Sequence, residues 1–267
     1  MSNLANAISF LLLNRHKTQV LFDGPGAYAR VRVTKTGNRV DLTTGKNYLQ
    51  SSYDTQAPIK GSVWSWYLCA PAFSGVVPPN LANLLVLGLG GGSIVKLFNR
   101  VFRVKKVVGV EIDPLIVELS KNFFGLDCEN ITIENNDIAD YCTSAVDSFD
   151  TIILDAFREN ISDPDSLSAP ILKKCSELLA PNGVFTINRV GGRSHDAGNK
   201  ELINKLKNLY KYVYSLTVFR NVLYACTNSK FAPPNPRSAE RLIHETAALN
   251  KELSFMTQTH TLKISLV

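Results

Sequence analysis

The sequence has no long apolar run, no paired-cysteine pattern and no block of like charge, and each absence removes a class of protein. The apolar stretch nearest the start, Ile8 to Leu13, is far shorter than the roughly 20 residues that cross a bilayer. It has no positive segment before it and no small-residue cleavage site after it, so neither export nor membrane anchoring is expected. The five cysteines, Cys69, Cys128, Cys142, Cys175 and Cys226, are odd in number and follow no CxxC or Cys/His spacing that zinc would need. They read as reduced, mostly buried thiols of a cytoplasmic protein without a metal site. Lys and Arg (29) outnumber Asp and Glu (23), a formal net charge of +6, but they are scattered. That pattern fits mild affinity for acidic partners and excludes a dedicated nucleic-acid surface. Repeats and low-complexity tracts are absent too.

What is present is a globular composition, 45% hydrophobic over 267 residues, enough to bury a sizeable core. Residues 1–55 read as a small β region, because Val20 to Gln50 alternates in short segments with turns at Thr36-Gly37-Asn38 and Thr44-Gly45-Lys46. Two or three antiparallel strands are expected there. Residues 56–232 read as the main domain. Ser62 to Cys69 is aromatic-rich and helical in pattern, and Pro78-Pro79-Asn80 breaks the chain after it. Strands then alternate with helices: Leu84 to Leu87, Val107 to Val110, Ile131 to Glu134, Thr151 to Leu154 and Val184 to Ile187 are the strands. Helical spacing follows the first, Asp113-Pro114 opens a helix after the second, and Leu202, Leu206, Leu209 and Val213 mark another. Val213 to Phe219 and Asn221 to Thr227 close the domain as a hairpin. The expectation is an α/β fold, a mostly parallel, doubly wound sheet ending in an antiparallel hairpin, with ligand at the carboxyl ends of the strands. Such a hairpin is unusual for a nicotinamide domain. Residues 233–267, after Pro233-Pro234-Asn235-Pro236, carry one helix, Ser238 to Leu253, and a tail.

The strongest local signal is the strand Leu84 to Leu87 emptying into Gly88-Leu89-Gly90-Gly91-Gly92-Ser93. Glycines permit positive φ and let a ligand approach the backbone where a Cβ would block it. Alone, this loop does not separate dinucleotides from adenosyl ligands. Glu111 closes the second strand, placed to accept hydrogen bonds from both hydroxyls of a ribose. Asp113, just before Pro114, is better read as a helix cap. Asp137 follows the third strand, where it can accept from an exocyclic amine while Ile112 and Ile138 cover the faces of a base; a plain loop acid is the alternative. Asp155 ends the fourth strand after three aliphatic residues, at the mouth of the same crevice, with capping as its alternative role. Trp64, Trp66 and Tyr67 either line an acceptor pocket or, at helical spacing, pack in the core. Arg193 and His195, after Gly191-Gly192, read as surface residues.

Taken in order, GLGGGS, VEIDP, NNDIADY, ILDAF and LLAPNGVFTIN resemble the spermidine synthase family and its methyltransferase relatives, over about Tyr28 to Thr227. The resemblance implies a Rossmann-like transferase fold holding S-adenosyl-L-methionine or its decarboxylated form. It assigns Gly88, Gly90, Gly91, Gly92, Glu111, Ile112, Asp137, Ile138 and Asp155 to the cofactor, with Gln50 as the family's cofactor-contacting glutamine. Asp155 and Asn188 are the implied catalytic pair, orienting the nucleophile. Three departures bear on the substrate. The family's acid inside the glycine loop is Gly91, its acid three residues beyond the position of Asp155 is Arg158, and its Tyr and Glu/His stretch is Ser62-Val63-Trp64-Ser65-Trp66-Tyr67. A polyamine needs paired carboxylates, so these changes remove the electrostatic basis of that specificity. Gly91 is also expected to leave loop N–H groups free for an anion. GLGGGS, VEIDP and Asn188-Arg189-Val190 resemble a eukaryotic methyltransferase group that modifies the N-terminus of a translation elongation factor.

Methyl transfer to an amine of a protein or small molecule is therefore the first expectation, with a homodimer compatible with it. The competing readings are an aminopropyltransferase acting on a polyamine, with Asp163 and Asp165 as replacement acids, and a non-catalytic nucleoside-binding protein.

Overall fold

The computed structural model describes residues 17–57, 59, 62–75, 81–158, 161–162, 165–190, 197–249, 251–257 and 263–267. Ile8 to Leu13, Pro78 to Asn80, Asp163, Gly191, Gly192, Arg193 and His195 lie outside them, as does the Arg158 side chain.

The N-terminal sheet has four antiparallel strands in sequence order, β1 (Thr18–Pro25), β2 (Arg30–Thr36), β3 (Arg39–Thr44) and β4 (Tyr48–Asp54). The sequence suggested two or three. The added strand is β1, whose alternation is broken by a register shift between Val20 and Phe22, so its period-2 signal is interrupted. Next come α1 (Val63–Trp66), capped by the Ser62 side chain, and a 3₁₀ segment, Tyr67–Ser74. The single helix expected from Ser62 to Cys69 gives way to this tighter turn because Pro71 has no N–H to continue an α ladder.

The main unit then runs β5 (Asn83–Leu87), α2 (Ser93–Phe102), β6 (Lys106–Glu111), α3 (Pro114–Phe124), β7 (Ile131–Asn135), α4 (Ile138–Ser144) and β8 (Phe149–Leu154). A two-residue hairpin follows, β9 (Phe157–Arg158) with β10 (Ile161–Ser162), then α5 (Ala169–Glu177) and β11 (Leu179–Val190). The fifth strand is thus longer than Val184 to Ile187; its extension contains Pro181-Asn182-Gly183, where the pairing with β8 shifts register. Last are α6 (Ala197–Lys207), β12 (Tyr212–Val218), β13 (Asn221–Thr227), α7 (Pro236–Leu249), a 3₁₀ segment Lys251–Thr257 and β14 (Lys263–Leu266). The single helix read over Ser238 to Leu253 is therefore divided.

Eight strands form one sheet in the order β14-β12-β13-β11-β8-β5-β6-β7, parallel from β11 to β7 and antiparallel elsewhere. The fold is thus the expected mostly parallel sheet ending in an antiparallel hairpin, and the C-terminal tail adds an edge strand to it. Both faces are covered, which is why the central strands read as unbroken apolar runs. Leu84 and Val86 pack with α2, the first 3₁₀ segment and α7 on one face, while Leu85 and Leu87 pack with α4, α5 and α6 on the other. Helix α3 is shared: Ile116, Leu119 and Phe124 bury against Val31, Val33 and Leu42 of the small sheet. That contact brings the small sheet over the carboxyl ends of β5 and β6. No helix among the described residues is long and apolar enough to cross a membrane.

Candidate active site

Strand order sets the position of the site. The chain leaves β5 for β6 on one side and reaches β8 on the other, so a crevice opens above the end of β5. There the residues enclose a cavity of about 490 Å³, within the range of small-molecule sites.

The glycine loop forms its floor. Gly88 adopts φ 90°, Gly90 φ 53° and Gly92 φ 76°, left-handed conformations that a side chain would strain. A Cβ on Gly88 would lie 2.7 Å from the Asp155 carbonyl oxygen, so the loop rests directly on the backbone at the end of β8. The loop amides are not free, contrary to the expectation for an anion site. Gly88 and Leu89 N–H donate to the Val110 carbonyl, Gly90 N–H to Glu111 Oε2 (2.8 Å), Gly91 N–H to Ser51 Oγ (2.8 Å) and Gly92 N–H to the Leu89 carbonyl. The physical reason is the small sheet, which supplies Ser51, and the loop's own tight turn.

Gly88 and Gly90 line the cavity, and Gly91 and Gly92 sit behind it. At Gly91 a Cβ would meet the Phe124 ring and the Ser51 Cβ at 2.9 Å; at Gly92 it would collide with Leu126. Position 91 is therefore closed to any acid side chain unless α3 and the small sheet give way.

Glu111 lies at the cavity wall, 9% exposed, its carboxylate accepting from Gly90 N–H and from Asp113 N–H (3.1 Å). Burial raises its proton affinity, and the backbone N–H groups oppose that rise. Asp113 caps α3 through Leu115 N–H and also grips Ala27 N–H, tying the β1–β2 loop to the main unit. Asp137 caps α4 through Ala139 N–H (2.7 Å) and lines the cavity between Ile112 and Ile138, which line it too. Gln50 enters from β4, its amide donating to Thr44 Oγ1 (3.0 Å).

Asp155 stands on the other side, beyond Gly88. Its Oδ1 accepts from the Tyr67 hydroxyl (3.0 Å) and from Asn188 Nδ2 (2.9 Å), and the Trp64 side chain also hydrogen-bonds to it. Burial raises the carboxyl pKa from its ordinary value, and these three donors oppose the rise. Asn188 is 4% exposed and behind Asp155, its own Oδ1 accepting from Asn221 Nδ2 (2.8 Å). It holds Asp155 rather than facing the cavity. Tyr67 is fully buried, its proton retained by burial and by the Asp155 charge.

Of the three aromatics only Trp64 lines the cavity; Tyr67 lies in the core and reaches Asp155 through its hydroxyl, and Trp66 belongs to the core alone. Trp64 and Tyr67 are three apart and share a face, while Trp66 turns away and packs edge-on against Phe255 at 5.1 Å. That spacing is the signal that would have separated them. Ser51 and Asn221 had no such signal.

The charge of the cavity is one-sided. Glu111, Asp113, Asp137, Asp155 and Asp165 line it, and among the described lining residues there is no Lys, Arg or His. In a chain of net charge +6 this is a local inversion that favours a cationic ligand. Among the described residues no cluster of His, Cys, Asp and Glu could hold a metal ion.

Comparison with known proteins gives the same region a lineage. The sequence profile of the spermine/spermidine synthase domain matches residues 72–227, more than half of the chain. An eEF1A lysine and N-terminal methyltransferase homolog of Drosophila melanogaster is 26% identical over 160 residues, 55% of this chain. The match spans only 24% of that longer protein. A polyamine aminopropyltransferase of Chromobacterium violaceum is 28% identical over 188 residues, 69% of this chain and 70% of its own length. Among solved structures, a spermidine synthase in complex with the transition state analogue AdoDATO superposes with TM-score 0.67, 16% identity, and 92% and 86% of the two chains covered. Human methyltransferase-like protein 13 in complex with SAH superposes with TM-score 0.55, 24% identity, and 72% and 91% covered.

Proposed function

The chain belongs to the spermine/spermidine synthase domain family, and from that premise we propose that it is an S-adenosyl-L-methionine-dependent methyltransferase acting on an amine. The observation that carries the choice is Gly91. The position that resembles the loop acid of the aminopropyltransferases has no side chain here, and Phe124 and Ser51 fill the space one would need.

The cavity fits the cofactor on its own chemistry. Gly88 and Gly90 bare the backbone, Glu111 meets the ribose hydroxyls, and Asp137 meets an exocyclic amine with Ile112 and Ile138 along the ring faces. The lining carboxylates suit a sulfonium. The bound cofactor supplies a methyl group already activated by positive sulfur, so the protein's task is alignment more than heavy acid–base work. Asp155 faces the acceptor, accepting a hydrogen bond from its nitrogen and fixing the direction of the lone pair. Asn188, Tyr67 and Trp64 are positioning residues that hold Asp155.

Glu111→Ala should weaken S-adenosylhomocysteine binding by roughly one to two factors of ten, because the ribose carboxylate is lost and Gly90 N–H loses its acceptor. Calorimetric titration of the folded variant measures this, and unchanged affinity removes the ribose assignment.

The aminopropyltransferase reading keeps one observation in its favour, since Asp165 lines the same cavity. The two readings diverge on the cofactor carboxylate. An acid in the loop would repel it, whereas Gly91 does not. The loop amides already have protein acceptors, so the expected difference comes from the missing repulsion alone: S-adenosyl-L-methionine should bind at least as tightly as its decarboxylated form. Titration with both compounds decides: tighter binding of the decarboxylated form, with putrescine or spermidine consumed, installs the aminopropyltransferase instead.

A further inference from the structure

Two side-chain amides in series stand behind Asp155, and their polarity is set by the carboxylate. An ionised carboxylate only accepts, so the end of Asn188 that meets Asp155 Oδ1 at 2.9 Å is the donating Nδ2. The Asn188 Oδ1 then points the other way, where it accepts from Asn221 Nδ2 at 2.8 Å. Asn188 follows Ile187, which pairs with Leu154, so it stands at the level of Asp155 on the neighbouring strand. Asn221 opens β13, opposite Val190 at the end of β11. A two-residue turn, Phe219-Arg220, sets it there between the paired Val218 and Asn221. Phe219 takes φ 54° in that turn while 75% exposed, a left-handed conformation that is rare for a bulky side chain. The antiparallel hairpin that closes the domain thus delivers a donor to the carboxyl edge of the sheet.

An asparagine amide has almost the same shape either way round, and inverted it would set an oxygen against the carboxylate. We propose that Asn221 is a positioning residue for Asp155: it occupies the Asn188 oxygen, so that the donating end of that amide stays on the carboxylate facing the acceptor. The inference rests on the reading of Asp155 as the acceptor-side group. Burial raises the Asp155 pKa, and the Asn188 bond is foremost among those that oppose the rise. Tyr67 is the titratable group in contact with Asp155, and Glu111, Asp113, Asp137 and Asp165 line the same cavity among the described residues. Arg189, next to Asn188, bonds to Asn199. Substitution at position 221 alters none of these groups.

The test follows Asp155 itself, by carbon-13 NMR of the full chain with carboxyl-labelled aspartate, its resonance identified by its loss in Asp155→Asn. In Asn221→Asp the new carboxylate can only accept, so it draws the Asn188 Nδ2 to itself and turns the oxygen toward Asp155. The Asp155 titration midpoint should rise by about one pH unit or more, the worth of one donor to a charged group. Part of that rise comes from the added charge, and the same substitution on an Asn188→Ala background measures that part, which should be less than half. Asn221→Leu adds no charge and should raise the midpoint by a smaller amount; it decides alone should the aspartate or double variant fail to fold. S-adenosylhomocysteine should bind Asn221→Leu within about threefold of wild type, and a larger loss would mark a general structural role and overturn the proposal. So would a midpoint that either single variant leaves unmoved, or a rise in Asn221→Asp that is the same with and without Asn188. The midpoint needs neither cofactor nor acceptor, so its failure leaves the methyl-transfer reading standing; that reading fails instead if Asp155→Asn turns over undiminished.

Discussion

A Gly88→Ala chain is expected to lose adenosyl-cofactor affinity by about a hundredfold or more, roughly 2.7 kcal/mol, the largest effect of any single methyl group added to this site. Two costs combine. At φ 90° an L side chain is strained, and its Cβ would sit 2.7 Å from the Asp155 carbonyl oxygen and 2.9 Å from the Ala156 Cα. Both obstacles are backbone, so no rotamer change relieves them. Either the loop lifts away from the cavity floor or the end of β8 moves, and Asp155 moves with it. Overpacking of this kind costs about 1–3 kcal/mol of stability as well. Gly91→Ala is the comparison: its Cβ would meet the Phe124 ring edge and the Ser51 Cβ at 2.9 Å, side-chain atoms behind the cavity rather than backbone at its floor, so it should cost stability with a smaller loss of affinity. Titration with S-adenosylhomocysteine and a thermal melt of both variants measure the two costs. Affinity of the Gly88 variant within threefold of wild type would show that the loop does not bear on the ligand.

Asp155→Asn should lower turnover by about tenfold to a hundredfold, the worth of one charge-assisted hydrogen bond to the acceptor, while leaving cofactor affinity within about threefold. An asparagine oxygen can still accept from Tyr67 and Asn188, but its amide has no negative charge to offer the acceptor nitrogen. Stability should fall by less than about 2 kcal/mol, and a larger loss would mark the residue as a buried structural partner. The pH dependence distinguishes the two roles further. Burial raises the Asp155 pKa from 3.8, so the carboxylate that catalysis uses forms only above that raised value. The wild-type rate should therefore fall on acidification at a pH above the ordinary aspartate range, and this limb should vanish in the asparagine variant. Stability runs the other way: a raised acid favours the fold below its unfolded pKa, and that contribution is lost as pH rises through the folded value. An acid limb in rate that merely followed unfolding would run with stability, not against it.

Much of this architecture was legible from residues close together in the chain. Leu84 to Leu87, Val107 to Val110 and Ile152 to Leu154 are unbroken runs without a polar side chain because helices or core cover both faces of those strands, and that pattern separates a parallel sheet from an exposed one. The glycine loop declared itself because positive φ and close backbone contact leave few residues eligible, and Asp113 declared itself as a cap through Pro114. Glu111 and Asp155 were legible because each ends an apolar run at the carboxyl edge. Where local pattern misled, the cause was a tertiary override: Pro71 turned an expected helix into a 3₁₀ segment, and a register break hid β1.

By itself, then, the sequence determined the order of strands and helices, the site of the crevice and the carboxylates that face it, since periodicity and backbone permissiveness are properties of neighbouring residues. Only the tertiary structure decided what surrounds those carboxylates. Tyr67 reaches Asp155 across 88 positions, Asn188 across 33, and Ser51 takes the Gly91 amide across 40. Such hydrogen bonds leave no periodic trace, because each depends on two distant segments being brought to one point by the packing of α3 on the small sheet and by the strand order of the large one. The same packing closed position 91 with Phe124 and Ser51, turning a glycine that was only an absence of charge in the sequence into an absence of space in the fold.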